Sequence, residues 1–227
     1  MEMIKKHDFV EIEYTGKLKN IGQIFDLTDE NLAKENNLYD EHRKYGPVII
    51  CIGENFLIHG LDNQLEGKSL GKYKFEIKPE DGFGKKNPKL IRIVNLNVFL
   101  KQNINPFPGL QVDIDGLIGT VRSVSGGRCV VDFNHPLAGR ELEYEVNIIR
   151  KIDSIEEKLK SLLNFKFYID ETKYELIKNE DSSIKIKLKM PEHIEANALK
   201  DIEKKIKELV PDLKSVELVF EKTTTEE

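Results

Sequence analysis

Apolar and polar residues alternate from Phe9 to Tyr14. Val10, Ile12 and Tyr14 share one face and Glu11 and Glu13 the other, which predicts a half-buried strand. Thr15-Gly16 reads as a kink, and Ile24-Phe25 begins the next extended piece. Thr28 to Gly46 is polar, with a short helix predicted at Glu30 to Glu35. Val48 to Ile52 is a continuous apolar run of strand length, and Leu57, Leu61 and Leu65 repeat every fourth residue in a helix that begins near Phe56. Tyr73, Phe75 and Ile77 alternate as a further strand, and Pro79 to Gly84 is a loop.

The pattern then changes. Val112 and Ile114, Val121 and Val124, and Val130 and Phe133 mark short strands, with Gly109, Asp115-Gly116 and Gly126-Gly127 as turns between them. Lys85 to Asn134 thus reads as a small β-rich domain. Glu141 to Ile152 is a returning strand with Leu142, Tyr144, Val146 and Ile148 on one face. Ser154 to Glu157 is a capping box for a helix whose stripe is Ile155, Leu159, Leu162 and Leu163. Three strands follow, through Phe165, Phe167 and Ile169, then Tyr174 and Leu176, then Ile184, Ile186 and Leu188, with a turn at Asn179 to Ser183. A helix on Leu199, Ile202, Ile206 and Leu209 and a strand on Val216, Leu218 and Phe220 complete an α-β-β-β-α-β segment that is expected to fold separately. Thr223 to Glu227 is expected to be a loose tail.

Composition narrows the function. A chain of 227 residues, 39% hydrophobic and 33% charged, suits two or three small globular domains. The formal charge of -5 argues against nucleic acid as the main partner. No apolar run approaches the roughly 20 residues of a membrane helix, and the N-terminus lacks the apolar run of a signal peptide, so the cytoplasm is expected. Cys51 and Cys129 lie far apart in apolar surroundings and read as buried free thiols. His7, His42, His59, His135 and His193 show no ligand spacing, so no metal and no cofactor are expected.

Three runs carry a resemblance: EIEYTGKLKNIGQIFD (Glu11 to Asp26), IGENFLIHGLDNQLEGKSLGKYKFEIKPEDGFG (Ile52 to Gly84) and VDFNHPLAGRELEYEV (Val131 to Val146). Their order and spacing resemble the FKBP-type peptidyl-prolyl isomerases. The NHPLAG run after a long insertion resembles the SlyD-like branch, and most of all the long archaeal type with an insert in the flap and a C-terminal domain. The resemblance covers about the first two thirds of the chain. It implies an α+β fold: an FKBP-like antiparallel sheet wrapped on a short helix, residues 1–86 plus 135–153. An inserted β-rich domain, 87–134, and a C-terminal α+β domain, 154–227, are added to it.

The resemblance also implies the chemistry. Turning a prolyl bond needs no acid, base or metal; the barrier of about 18–20 kcal/mol comes from amide resonance. A desolvated aromatic pocket favours the twisted, less polar amide. Carried over by residue, the catalytic set is Tyr14, Phe25, Asp26, Ile58 (through its N–H), Phe83 and Tyr144. Val48, Leu57 and Leu61 line the pocket, with Leu61 where most relatives have tryptophan and Phe83 where many have tyrosine. Ile93, Leu96, Val98 and Phe99 of the insert either bind substrate or form the insert's own core. The expected partners are unfolded or partly folded polypeptides with X-Pro bonds, with no nucleic acid or membrane, and a homodimer through the C-terminal domain. The expected function is an isomerase that is also a folding chaperone; the alternative is a holdase with a vestigial pocket.

Overall fold

The structure, a computed structural model, describes residues 2–178, 183–190 and 196–222. The turn expected at Asn179 to Ser183, the tail Thr223 to Glu227 and His193 fall wholly or mostly outside these residues. The chain forms two compact units, Met1–Glu76 with Glu143–Glu227, and Ile77–Leu142.

In the first unit, β1 (Phe9–Leu18) pairs antiparallel with β2 (Ile24–Leu27) through its second half and with β3 (Val48–Cys51) through its first. The kink read at Thr15-Gly16 is a register shift between Gly16 and Lys17, and the strand runs through it. Helix α1 (Glu30–Glu35) is capped by Asp29, whose carboxylate accepts from the Leu32 N–H at 2.9 Å. Helix α2 (His59–Leu65) starts three residues later than the leucine spacing suggests, because Ile58 is extended and serves as its N-cap. Strand β4 (Gly71–Ile77) follows.

The second unit carries the insert. Strands β5 (Ile91–Asn95), β6 (Gln111–Ile114), β7 (Leu117–Ser125) and β8 (Arg128–Asp132) form an antiparallel sheet in the order β5-β8-β7-β6, and helix α3 (Leu96–Leu100) follows β5. Both tight hairpins have two residues with positive φ, Asp115-Gly116 and Gly126-Gly127, the backbone that a two-residue turn between twisted strands requires. The insert has its own core of Phe99, Val112, Val121, Cys129 and Val131. Its ends are clasped: Asn87 N–H donates to the Asn134 side chain at 2.8 Å, which donates back to Asn87 O at 3.1 Å. Beside them Asp132, nearly buried, accepts from Lys86 and pairs with Arg122, both at 3.1 Å. Burial alone would raise its pKa, but hydrogen bonds from Asn134 and Lys86 outweigh that and hold it at about 2.

Strand β9 (Leu142–Lys151) returns to the first sheet, whose path is β2-β1-β9-β4 with β3 on β1. Helix α4 (Ile155–Ser161) is capped by Ser154 as expected. The strand expected at Phe165 to Ile169 is absent: the helix runs on into a π turn over Leu162–Lys166, and Tyr168 takes a positive φ of 55°. Leu162 and Leu163 are both fully buried, and holding both inside favours helical continuation over a three-residue alternation. Strands β10 (Tyr174–Lys178), β11 (Ser183–Met190) and β12 (Ser215–Lys222) make a sheet in that order; β11 and β12 are parallel, with helix α5 (Ala196–Leu209) as the crossover between them.

Strand periodicity explains how this last segment sits within its unit. Side chains alternate across a strand, so if Val10 and Ile12 face inward, Phe9 and Glu11 face outward. That outer face is covered. Phe9, Cys51 and Ile152 share one core cluster with Leu159, Leu162, Ile186, Ile206 and Val210, among others. Arg150 pairs with both Glu11 and Glu157 at 2.6 Å, and Ser161 Oγ donates to Ile49 O at 2.6 Å. The segment expected to fold separately therefore has a core continuous with the first sheet. Burial, reinforced by the charge of Glu54, pushes the Cys51 thiol up to about 12.

Candidate active site

The YTG and FD motifs meet through strand pairing. Gly16 on β1 lies opposite Asp26 on β2, which sets Tyr14 near Asp26 across the ladder. Tyr14 Oη donates to Asp26 Oδ2 at 3.0 Å, and Arg43 Nη2 donates to Asp26 Oδ1 at 2.6 Å. The same guanidinium nitrogen donates to Leu27 O at 2.7 Å. Each carboxylate oxygen thus has its own donor, and Asp26 is fixed in direction. Burial, and then the charge of Asp26, pushes the Tyr14 hydroxyl well above the ordinary phenol range, so it stays a donor. Burial works against the charge of Arg43, but its bond to Asp26 prevails and its pKa rises.

Three rings stand beside this carboxylate. The Tyr144 ring centroid is 6.0 Å from that of Tyr14 and 5.8 Å from that of Phe25, the second pair edge-to-face at 86°. Burial, then the Asp26 charge, raises the Tyr144 hydroxyl as well. Gly16 makes this closure possible. A Cβ there would stand 2.8 Å from Tyr144 Cε1 and 3.0 Å from Phe25 Cζ. Its role is room for the rings, not only the kink.

The segment between β3 and α2 supplies the opposite group. Asp62 on α2, almost fully buried, accepts from Gly53 N–H and Asn55 N–H at 2.9 Å each. Glu54, also buried, receives Lys166 at 3.0 Å and Lys205 at 3.1 Å from the C-terminal segment, with His7 at 3.4 Å. Burial would raise its pKa, but the two lysines reverse the sign and lower it. The loop so held leads to Leu57 and Ile58, both half-buried. The Ile58 carbonyl accepts from Leu61 and Asp62, and no acceptor among the described residues takes its N–H. Val48 is half-buried opposite Ile12.

The other expected site residues have surroundings of their own. Leu61 is wholly buried and supports its surroundings from beneath, without free surface. Phe83 belongs to the second unit, where it stacks on His135 at 4.5 Å with the rings 2° from parallel. On the insert, Ile93, Val98 and Leu96 are exposed or half-exposed, but Phe99 is buried in the insert's core and is not a substrate contact. A small sheet needs one large anchor, and Phe99 fills that place. Sequence reasoning missed Arg43, which sits in a polar stretch with no periodic signal, and the Glu54 cluster. Among the described residues no group of three or more potential metal ligands occurs, and no helix is long and apolar enough to cross a membrane.

Comparison with known proteins decides the family. Residues 1–96 match the model for FKBP-type peptidyl-prolyl cis-trans isomerase, and residues 92–137 match that for the FKBP26, IF domain. The short-type peptidyl-prolyl cis-trans isomerase of Methanocaldococcus jannaschii is 31% identical over 149 residues, which are 65% of this chain and 94% of that protein. The chain belongs to the FKBP-type peptidyl-prolyl cis-trans isomerases. The SlyD isomerase of Pasteurella multocida is 33% identical over 123 residues, 52% of this chain and 61% of its own length. That of Vibrio cholerae is 34% identical over 119 residues, 48% and 57% respectively. The chain therefore spans about three fifths of these SlyD relatives. As an FKBP-type isomerase it acts on polypeptides containing proline, in an α+β fold that carries added domains.

Proposed function

We propose that Tyr14, Phe25, Asp26, Ile58 and Tyr144 carry the isomerisation, with Val48 and Leu57 lining the pocket. The observation that supports this most is the Tyr14–Asp26–Arg43 network beside the Tyr144 and Phe25 rings. A planar prolyl amide entering such a site leaves water and loses solvation of its dipole; the twisted amide, being less polar, loses less. The fixed Asp26 carboxylate sets the field on the turning amide, and the free Ile58 N–H holds a substrate carbonyl in place. Asp26 already accepts two hydrogen bonds, so it acts by position and charge and not as a base.

We assign residues 1–86 with 135–153 to the isomerase part, 87–134 to the insert and 154–227 to the C-terminal part. The insert is read as a capture surface for unfolded chains, which makes the protein a chaperone as well. Ile93 and Ile118, each 69% exposed, and the exposed Leu100, Phe107 and Leu117 support this. A homodimer through the C-terminal segment is favoured by β10 and β12, the two outer strands of its sheet. Two buried free thiols suit a reducing cytoplasm.

Turnover of proline tetrapeptides tests the site. Phe25→Ala and Asp26→Ala are expected to lower kcat/KM at least about tenfold, equivalent to about 1.4 kcal/mol, with chelator leaving the wild-type rate unchanged. A wild-type rate equal to buffer turns the reading to a holdase. Light scattering of the full chain at tens of micromolar decides the dimer; a monomer removes it.

A further inference from the structure

Within the first unit, a groove of about 620 Å³ shares only Val48 with the roles proposed so far. Tyr45 and Val48 line it together with Phe165 and Tyr168 of the C-terminal segment. Tyr45 and Val48 adjoin residues of the candidate active site. The Arg43 guanidinium that holds Asp26 lies 5.5 Å from the centroid of the Tyr45 ring, and Val48 is itself assigned to the pocket.

The part lined by the C-terminal segment carries an anomaly. Tyr168 is 87% exposed and has a φ of 55°. A bulky side chain in the left-handed region is strained, whereas Asn or Gly takes that backbone easily. The turn needs the backbone but has no need of the ring, which the protein's own atoms barely cover. A strained, exposed aromatic on the lip of a groove is an observation that asks for a ligand. Phe165 adds a second partly exposed ring, braced from behind by Phe56 at 6.0 Å. The rim carries both signs of charge, with Lys44 3.8 Å from Asp170.

We propose that this groove holds the residues of a client polypeptide that flank the X-Pro bond, so that the C-terminal segment supplies an extended subsite to the isomerase. The proposal rests on the active-site assignment above. Apolar walls with a mixed rim suit extended chain of varied sequence. A groove that adjoins the assigned site at Tyr45 and Val48 is expected to serve one side of the proline only.

The test uses the full chain and its Tyr168→Asn variant, which removes the ring while easing the backbone. Labelled peptides, a tetrapeptide and peptides extended to about twelve residues on either side of the proline, are measured by turnover and by fluorescence anisotropy. Wild type is expected to gain about fivefold in kcat/KM and affinity with one extension and not the other. Tyr168→Asn is expected to abolish that gain and leave the tetrapeptide rate and the Tm unchanged. No gain with length in wild type, or an equal loss on short and long peptides, overturns the proposal. So does a shift in self-association of Tyr168→Asn by light scattering, which makes the groove a contact between copies. Absence of tetrapeptide turnover defeats the active-site reading instead, and anisotropy then still decides the groove.

Discussion

The insert and the C-terminal segment each add a small sheet to the isomerase, but they bury their apolar residues differently. The insert closes on itself, with a core of five buried residues and ends joined by the Asn87–Asn134 clasp. The C-terminal segment shares its core with Phe9, Cys51 and Ile152 and sends Lys166 and Lys205 to a buried glutamate next to the loop of Ile58. Addition to a fold therefore takes two physical forms here. A segment with its own core can be removed at the cost of its own function alone. A segment that completes another element's core cannot.

Truncation after Asp153 is the strongest way to break this distinction. Phe9, Cys51 and Ile152 would be uncovered, and full burial of such side chains is worth roughly 1.5–3 kcal/mol each. Glu54 would also lose both lysines. The sum approaches a typical domain's total stability of about 5–15 kcal/mol. Urea denaturation is expected to find the truncated chain unfolded or barely folded. A truncated chain with the midpoint of the full protein would show that the shared core contributes nothing.

Deleting Asn87 to Asn134 and joining the ends with a short turn is the matching experiment on the insert. Tetrapeptide turnover is expected to stay within about twofold, while catalysis of proline-limited refolding falls about tenfold or more. Unchanged refolding catalysis would leave the exposed residues Ile93 and Ile118 without a capture role.

A smaller effect comes from Gly16→Ala, which acts on the site and on neither addition. The new methyl meets Tyr144 and Phe25 at 3.0 Å or less, so the rings must part. Overpacking of this kind costs about 1–3 kcal/mol. Tetrapeptide kcat/KM should fall more than the melting temperature suggests. Normal activity would mean that the ring spacing is not part of the site.

Most strands were legible because each is read locally, from alternation or a short apolar run, but β5 (Ile91–Asn95) was not read. The insert's hairpins were legible for the same reason, through Asp115-Gly116 and Gly126-Gly127. The stretch from Phe165 to Ile169 was misread as a strand: three alternating positions carry little information, and the buried pair Leu162 and Leu163 sets the path instead. Tyr14, Phe25, Asp26 and Tyr144 came from motif resemblance and lie together. Arg43 and Glu54 were not legible. Their meaning lies in partners 17, 112 and 151 residues away, and no local pattern encodes such a pairing.

The finest test of the comparison is acid. Asp132 at the neck of the insert is held at about 2, below its ordinary 3.8, by Asn134 and Lys86. A depressed folded pKa gives stability that is fully present above the unfolded value and lost as pH falls through the folded one. The insert should therefore loosen between about pH 4 and pH 2. Glu54 is shifted in the same direction, so overall unfolding curves cannot separate the two regions. Hydrogen exchange of the β5 to β8 amides can. Wild type should lose protection there across this window, and Asp132→Asn should be less protected at neutral pH but nearly flat through it. Asn keeps the shape of the side chain and gives up the charge that draws Lys86 and Arg122 to 3.1 Å. An Asp132→Asn protein with the same acid-dependent loss as wild type would place the sensitivity elsewhere in the insert.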